Sequence, residues 1–135
     1  MSTRSAMVCM LVLIPVGASA QGTTMTKEDF SDAARRGVNL AQALEARFPG
    51  IRAVGRSLSG WCVEYRQVSA SGRCKSLAVF VDGIRIGDPR HFFASRLVED
   101  IVRAELLSAM DATIRYGSTA GWGALVIETR RGSRP

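Results

Sequence analysis

The stretch Val79-Phe-Val-Asp-Gly-Ile-Arg-Ile86 constrains the fold more than any other part of the chain. Two short apolar-rich runs are separated by Asp82-Gly83 alone, and this pair supplies the positive φ that a type I′ turn needs at both positions. The spacing predicts a β-hairpin. An isolated hairpin is marginal in water, so other segments must extend and cover it.

Those segments can be read in order. Thr26-Lys-Glu-Asp29 has the spacing of a capping box and predicts a short helix through Arg36, stopped by Gly37. Residues 21–25 ahead of it read as a loose arm. Asn39 is placed to cap a second helix with Leu40, Ala43, Leu44 and Phe48 on one face, ended by Pro49-Gly50. Strand-like runs occupy Ile51–Arg56, Trp61–Gln67 and Leu77–Val81. In the middle run Trp61, Val63 and Tyr65 alternate with Cys62, Glu64 and Arg66, the period of a half-buried strand. Gly87–Arg90 reads as loop, Ser95–Asp100 as one or two helical turns, and Ile101–Leu107 as a weakly alternating strand.

Ser108-Ala-Met-Asp111 repeats the capping pattern, so Ala109–Tyr116 is expected to be a helix with Gly117 in the αL conformation past its end. A loop over Ser118–Gly123 follows. Ala124–Thr129 is apolar on both faces up to Ile127, which predicts an interior strand paired near Ile101–Leu107. Helices and strands intersperse without regular βαβ spacing. The fold class is therefore α+β, a small mixed sheet with short helices.

At 135 residues the chain has room for one folded domain. Its 47% hydrophobic and 22% charged residues exclude a polytopic membrane protein, a coiled coil and a disordered chain. The first twenty residues stand apart. A basic start at Arg4, an apolar run from Ala6 to Gly17 and Ala18-Ser-Ala20 together read as a secretory signal cleaved before Gln21. Pro15-Val-Gly17 interrupts the apolar run well short of the roughly 20 residues a membrane span requires. The expected organisation is a signal over 1–20, an arm and short helix over 21–38, the main domain over 39–132 and a tail over 133–135. No transmembrane helix is expected after cleavage.

Cleavage leaves two cysteines, Cys62 and Cys74, on either side of a turn-forming Ser69-Ala-Ser-Gly72. An even count in an exported chain predicts a disulfide across that turn, with a stabilisation of about 3 kcal/mol in the chain-entropy model. A metal site would need more ligands, since His91 is the only histidine.

The net charge is +6, and nearly all of the positive charge is arginine. One reading is a surface for anionic ligands; the other is charge dispersed over a solvated face. No more than two basic residues are adjacent, which favours dispersal, and export argues against nucleic acid as a partner.

Catalytic constellations are absent from the pattern. His91 has no serine or cysteine nucleophile in a recognisable setting. Asp82, Asp88, Glu99, Asp100 and Glu105 lack the spacing of a carboxylate pair. No G-x-S-x-G, H-E-x-x-H, P-loop or calcium-loop motif occurs, and Gly121-Trp-Gly123 leads into a strand where a phosphate cradle needs a helix. Trp61 and Trp122 offer faces for sugar stacking, but a half-buried strand position and a cap over the core explain them with fewer assumptions. The chain reads as a binding or structural module without cofactor, and not as an enzyme.

From Leu77 onward the order of elements becomes specific. Ala78-Val-Phe-Val-Asp-Gly-Ile-Arg-Ile86 resembles the VYVDGV hairpin in plug domains of TonB-dependent outer-membrane receptors. Val98-Glu-Asp-Ile-Val-Arg-Ala-Glu-Leu-Leu107 is similar to that family's PEDIESIEVL segment, and Ser108-Ala-Met-Asp-Ala-Thr-Ile-Arg-Tyr-Gly-Ser118 to KGPAAALYGS. Gly121-Trp-Gly-Ala-Leu-Val-Ile-Glu-Thr-Arg-Arg-Gly132 is similar to GANGVILITTKRG, and upstream Leu40–Arg52 resembles the preceding helix and PGVxV strand.

The resemblance implies a plug-like fold with Asp82, Gly83, Glu105, Tyr116, Gly117, Gly123 and Gly132 as structural motif positions. It implies an exported protein in the periplasm or at the outer membrane of a Gram-negative-type bacterium. It further implies a non-catalytic module accessory to, or derived from, receptor transport, whose partner is a separately encoded outer-membrane β-barrel or another envelope component. This sequence carries no run of alternating ten-residue strands with which to close a barrel itself. The alternative expectation is a free periplasmic protein that binds anionic ligands through its arginine surface.

Overall fold

The computed structural model describes residues 23–57, 60–65 and 75–132. The proposed signal over 1–20, the pairing of Cys62 with Cys74 and the tail over 133–135 lie outside them. Along the chain run β1 (Thr24–Met25), α1 (Lys27–Arg35), α2 (Leu40–Arg47), β2 (Ile51–Ser57), β3 (Gly60–Tyr65), β4 (Ala78–Val81), β5 (Ile84–Ile86), α3 (Pro89–Ser95), β6 (Ile101–Leu107), α4 (Ala109–Tyr116) and β7 (Ala124–Thr129). Single 3₁₀ turns lie at Val98–Asp100 and Ser118–Ala120. The class is α+β.

The hairpin forms where the Asp-Gly pair places it. Asp82 has φ +50° and Gly83 φ +82°, and Val81 faces Ile84 across an antiparallel pair. At Gly83 a side chain would meet no neighbouring atom within 4 Å, so its requirement for glycine is purely a backbone one. Gly83→Val should therefore cost about 1–3 kcal/mol, the strain of a β-branched residue at positive φ, read as a lowered midpoint of thermal unfolding.

β4 and β5 form one side of a five-stranded sheet ordered β1-β6-β7-β4-β5, while β2 and β3 pair separately as a two-stranded sheet. β7 runs parallel to β4 and antiparallel to β6, so it is interior, with a ladder on each side. Its alternation divides the core in two. Leu125 and Ile127 join Val79, Ile101 and Ala104 under α1, α2, α3 and the β2–β3 pair, whose Ile51 and Val63 are fully buried. Ala124 and Val126 join Ala78, Phe80 and Leu107 under α4 through Ala112. A strand covered on both faces has no place for a solvent-facing alternation until its end, which is why Glu128 is its first exposed residue.

Capping residues set the helices. Asp29 accepts hydrogen bonds from the backbone N–H and hydroxyl of Thr26, and Asn39 accepts from the Gln42 N–H while Gln42 accepts from Asn39. The Ser108 hydroxyl accepts from the Asp111 N–H at the start of α4.

Three expectations are corrected. Residues 24 and 25 are not a loose arm: they pair with Glu105 and Ala104 of β6, and Met25 is buried at 3% exposure. Gly87–Arg90 is only partly loop, because α3 begins at Pro89, with Asp88 accepting a hydrogen bond from the Arg90 N–H. The reason is local: proline at the first helical position gives up no hydrogen bond there, and aspartate caps the turn. Gly117 ends α4 with the positive φ expected, +82°, but its ψ of −175° lies outside the αL region, in a conformation open essentially to glycine alone.

Candidate functional site

A hydrogen-bonded polar junction lies where the β4–β5 turn meets the end of β7. The Asp82 N–H donates to the Ile127 carbonyl at 2.9 Å, the last backbone bond between β4 and β7. The chain then turns away at Gly83, and the Asp82 carboxylate takes over the ladder: it accepts from the Thr129 N–H at 2.7 Å and from the Thr129 hydroxyl at 2.6 Å. Thr129 is 4% exposed, so both hydrogen bonds are made by donors in a buried position. Gly132 closes the junction, its N–H donating to the Thr129 hydroxyl oxygen at 3.4 Å. A Cβ at position 132 would overlap the Asp82 carboxyl group. Two motif positions fifty residues apart in sequence are thus in direct contact.

On the α4 side of the sheet, the Tyr116 ring stacks on Phe80 at 3.8 Å between centroids and 16° between planes. Glu105 projects from β6 toward the same helix, its carboxylate 3.4 Å from Arg115 and 3.6 Å from Arg103. These side chains are 24–54% exposed, and such a pairing orients α4 more than it stabilises it. Between the last turn of α4 and the Asp82 junction runs a groove of about 520 Å³ lined by Asp82, Gly83, Arg115, Tyr116, Val126, Glu128 and Gly132.

Four of the motif positions, Asp82, Gly83, Tyr116 and Gly132, line this groove, and Glu105 reaches it through Arg115. Gly117 and Gly123 do not. Gly123 lies at the opposite end of β4, where its carbonyl accepts from the Ala78 N–H at 3.0 Å. Sequence reasoning missed Thr129, Arg115 and Glu128. Thr129 carries no local signal, since its partner is forty-seven residues away. Arg115 and Glu128 are marked only by being charged beside Tyr116 and beside the apolar run of β7.

Other candidates are dispersed. His91 is exposed on α3 beside a shallow recess lined by Ile86, Asp88, Phe92, Ser95 and Arg96. Trp122 does not cap the core: it is 52% exposed, with the Lys75 ammonium 4.5 Å from its ring centroid. Arg35 pairs with Asp32, away from Arg103 and Arg115 on Glu105. Among the described residues no three His, Cys, Asp or Glu side chains gather as metal ligands would, and no helix is long and apolar enough to cross a membrane.

No model of a known protein family matches the chain, and no curated protein matches it.

Proposed function

We propose that the chain is a non-catalytic, plug-like module at the outer membrane, accessory to or derived from receptor transport, and partnered by a separately encoded β-barrel or another envelope component. The observation that supports this reading is the convergence of its motif positions: Asp82, Gly83, Tyr116 and Gly132, dispersed over fifty residues, line one groove. Their roles there are structural. Asp82 continues a ladder, Gly132 makes room for it, and Tyr116 seals Phe80, so the groove is a rigid surface suited to holding a partner.

Fractionation of cells producing the full chain tests the reading. The mature chain is expected in the outer-membrane pellet, released by detergent, and cross-linked to a protein whose gel mobility changes on heating as that of a β-barrel does. Recovery in the soluble periplasmic fraction, with no such adduct, would overturn it.

A further inference from the structure

We infer that the groove beside α4 receives a basic side chain from an extended segment of the partner protein, with its aliphatic stem along Val126 and Tyr116 and its cation at Glu128. The inference rests on the reading that the chain works with a protein partner, and it names the chemistry of their contact.

Charge is the first argument. The chain as a whole carries +6, yet the groove is lined by two carboxylates, Asp82 and Glu128, against one guanidinium, Arg115. The Arg115 charge is already directed to Glu105 at 3.4 Å. Asp82 has each carboxylate oxygen engaged by Thr129. Glu128 stands opposite Arg103 in the β6–β7 register, but the Arg103 guanidinium turns to Glu105 at 3.6 Å. Glu128 is left as an exposed carboxylate with no hydrogen bond or ion pair among the described residues. A local negative site on a positive protein selects a cation and disfavours an anion.

Shape is the second argument. The groove is lined by Val126, 8% exposed, and by Tyr116, whose ring stacks on Phe80 and has the Arg115 guanidinium 5.6 Å from its centroid. Lysine and arginine carry an apolar stem below a charged head, so they match a groove lined by Val126, Tyr116 and the Glu128 carboxylate. An acidic side chain would meet Glu128 with like charge.

The test uses the mature chain and three probes, acetyl-Val-Arg-Val-amide and its glutamine- and glutamate-centred counterparts, with binding read from backbone amide shifts by NMR. The arginine probe is expected to give saturable shifts at Tyr116, Val126, Glu128 and Gly132. Glu128→Gln should weaken it about fivefold, corresponding to an ion pair near 1 kcal/mol. Glu128→Lys should transfer the preference to the glutamate probe, and added salt should weaken arginine binding. Thermal unfolding of each variant establishes that it is folded. Equal binding of the three probes, shifts confined to another surface, or unchanged affinity in Glu128→Gln would overturn the inference. If the wild-type chain is captured by a barrel and Glu128→Gln is captured equally, the inference fails and the plug-like reading stands. If the arginine probe binds the groove but the chain stays soluble in the periplasm, the reading fails and the basic-side-chain site stands.

Discussion

A chain ending at Gly121 should lose its fold cooperatively, with no thermal transition and no native-like circular dichroism. Such a chain lacks β7, the strand between β6 and β4, which supplies Leu125 and Ile127 to one core and Ala124 and Val126 to the other. Leu125 and Ile127 are fully buried and Val126 nearly so, each contributing about 1.5–3 kcal/mol on burial. Together that is comparable with the whole stability of a small domain, about 5–15 kcal/mol. The loss extends further, because β6 and β4 would each expose a row of unpaired backbone groups. A sharp two-state transition in the shortened chain would contradict the interior placement of β7.

Asp82→Ala should destabilise the protein by about 3 kcal/mol, enough to lower the unfolding midpoint by roughly 10 °C or more. The substitution removes two charge-assisted hydrogen bonds from the buried Thr129, one to its N–H and one to its hydroxyl. It also places alanine at φ +50°. Asp82→Asn separates these effects. Asparagine tolerates the positive φ and keeps a carbonyl for the Thr129 N–H, so its cost should be about 1 kcal/mol or less. Gly132→Ala should approach the loss seen in Asp82→Ala, since the added methyl displaces the same carboxyl group. The double variant should lose clearly less than the two single losses combined, because residues in contact couple. Additive losses would mean that Asp82 and Gly132 act independently.

The distances over which residues act separate what was legible in the sequence from what was not. The Asp82-Gly83 turn, the caps at Thr26, Asn39 and Ser108, and the doubly apolar run of β7 are each specified within a few neighbouring residues. Backbone φ preference, side chain-to-backbone hydrogen bonds and hydrophobic period all operate at that range, and all of these elements are present in the fold. The start of α3 belongs with them. Asp88-Pro89 is a local helix signal, an aspartate cap followed by proline in the first turn.

Tertiary structure decided the rest. Nothing near residues 24 and 25 says that they will pair with β6, because a two-residue strand has no period of its own and depends on the edge it meets. Nor does the alternation of β2 and β3 reveal that they pair with each other, apart from the larger sheet; that depends on which ladder their register completes. The groove is the clearest case. Motif order named Asp82, Tyr116 and Gly132 separately, but only the parallel pairing of β4 with β7 brings Asp82 to Thr129 and Gly132. Sequence alone determined where the chain turns, caps and alternates, since those are short-range energies. The fold determined which distant residues share a surface, since that follows from strand order and register across the whole sheet.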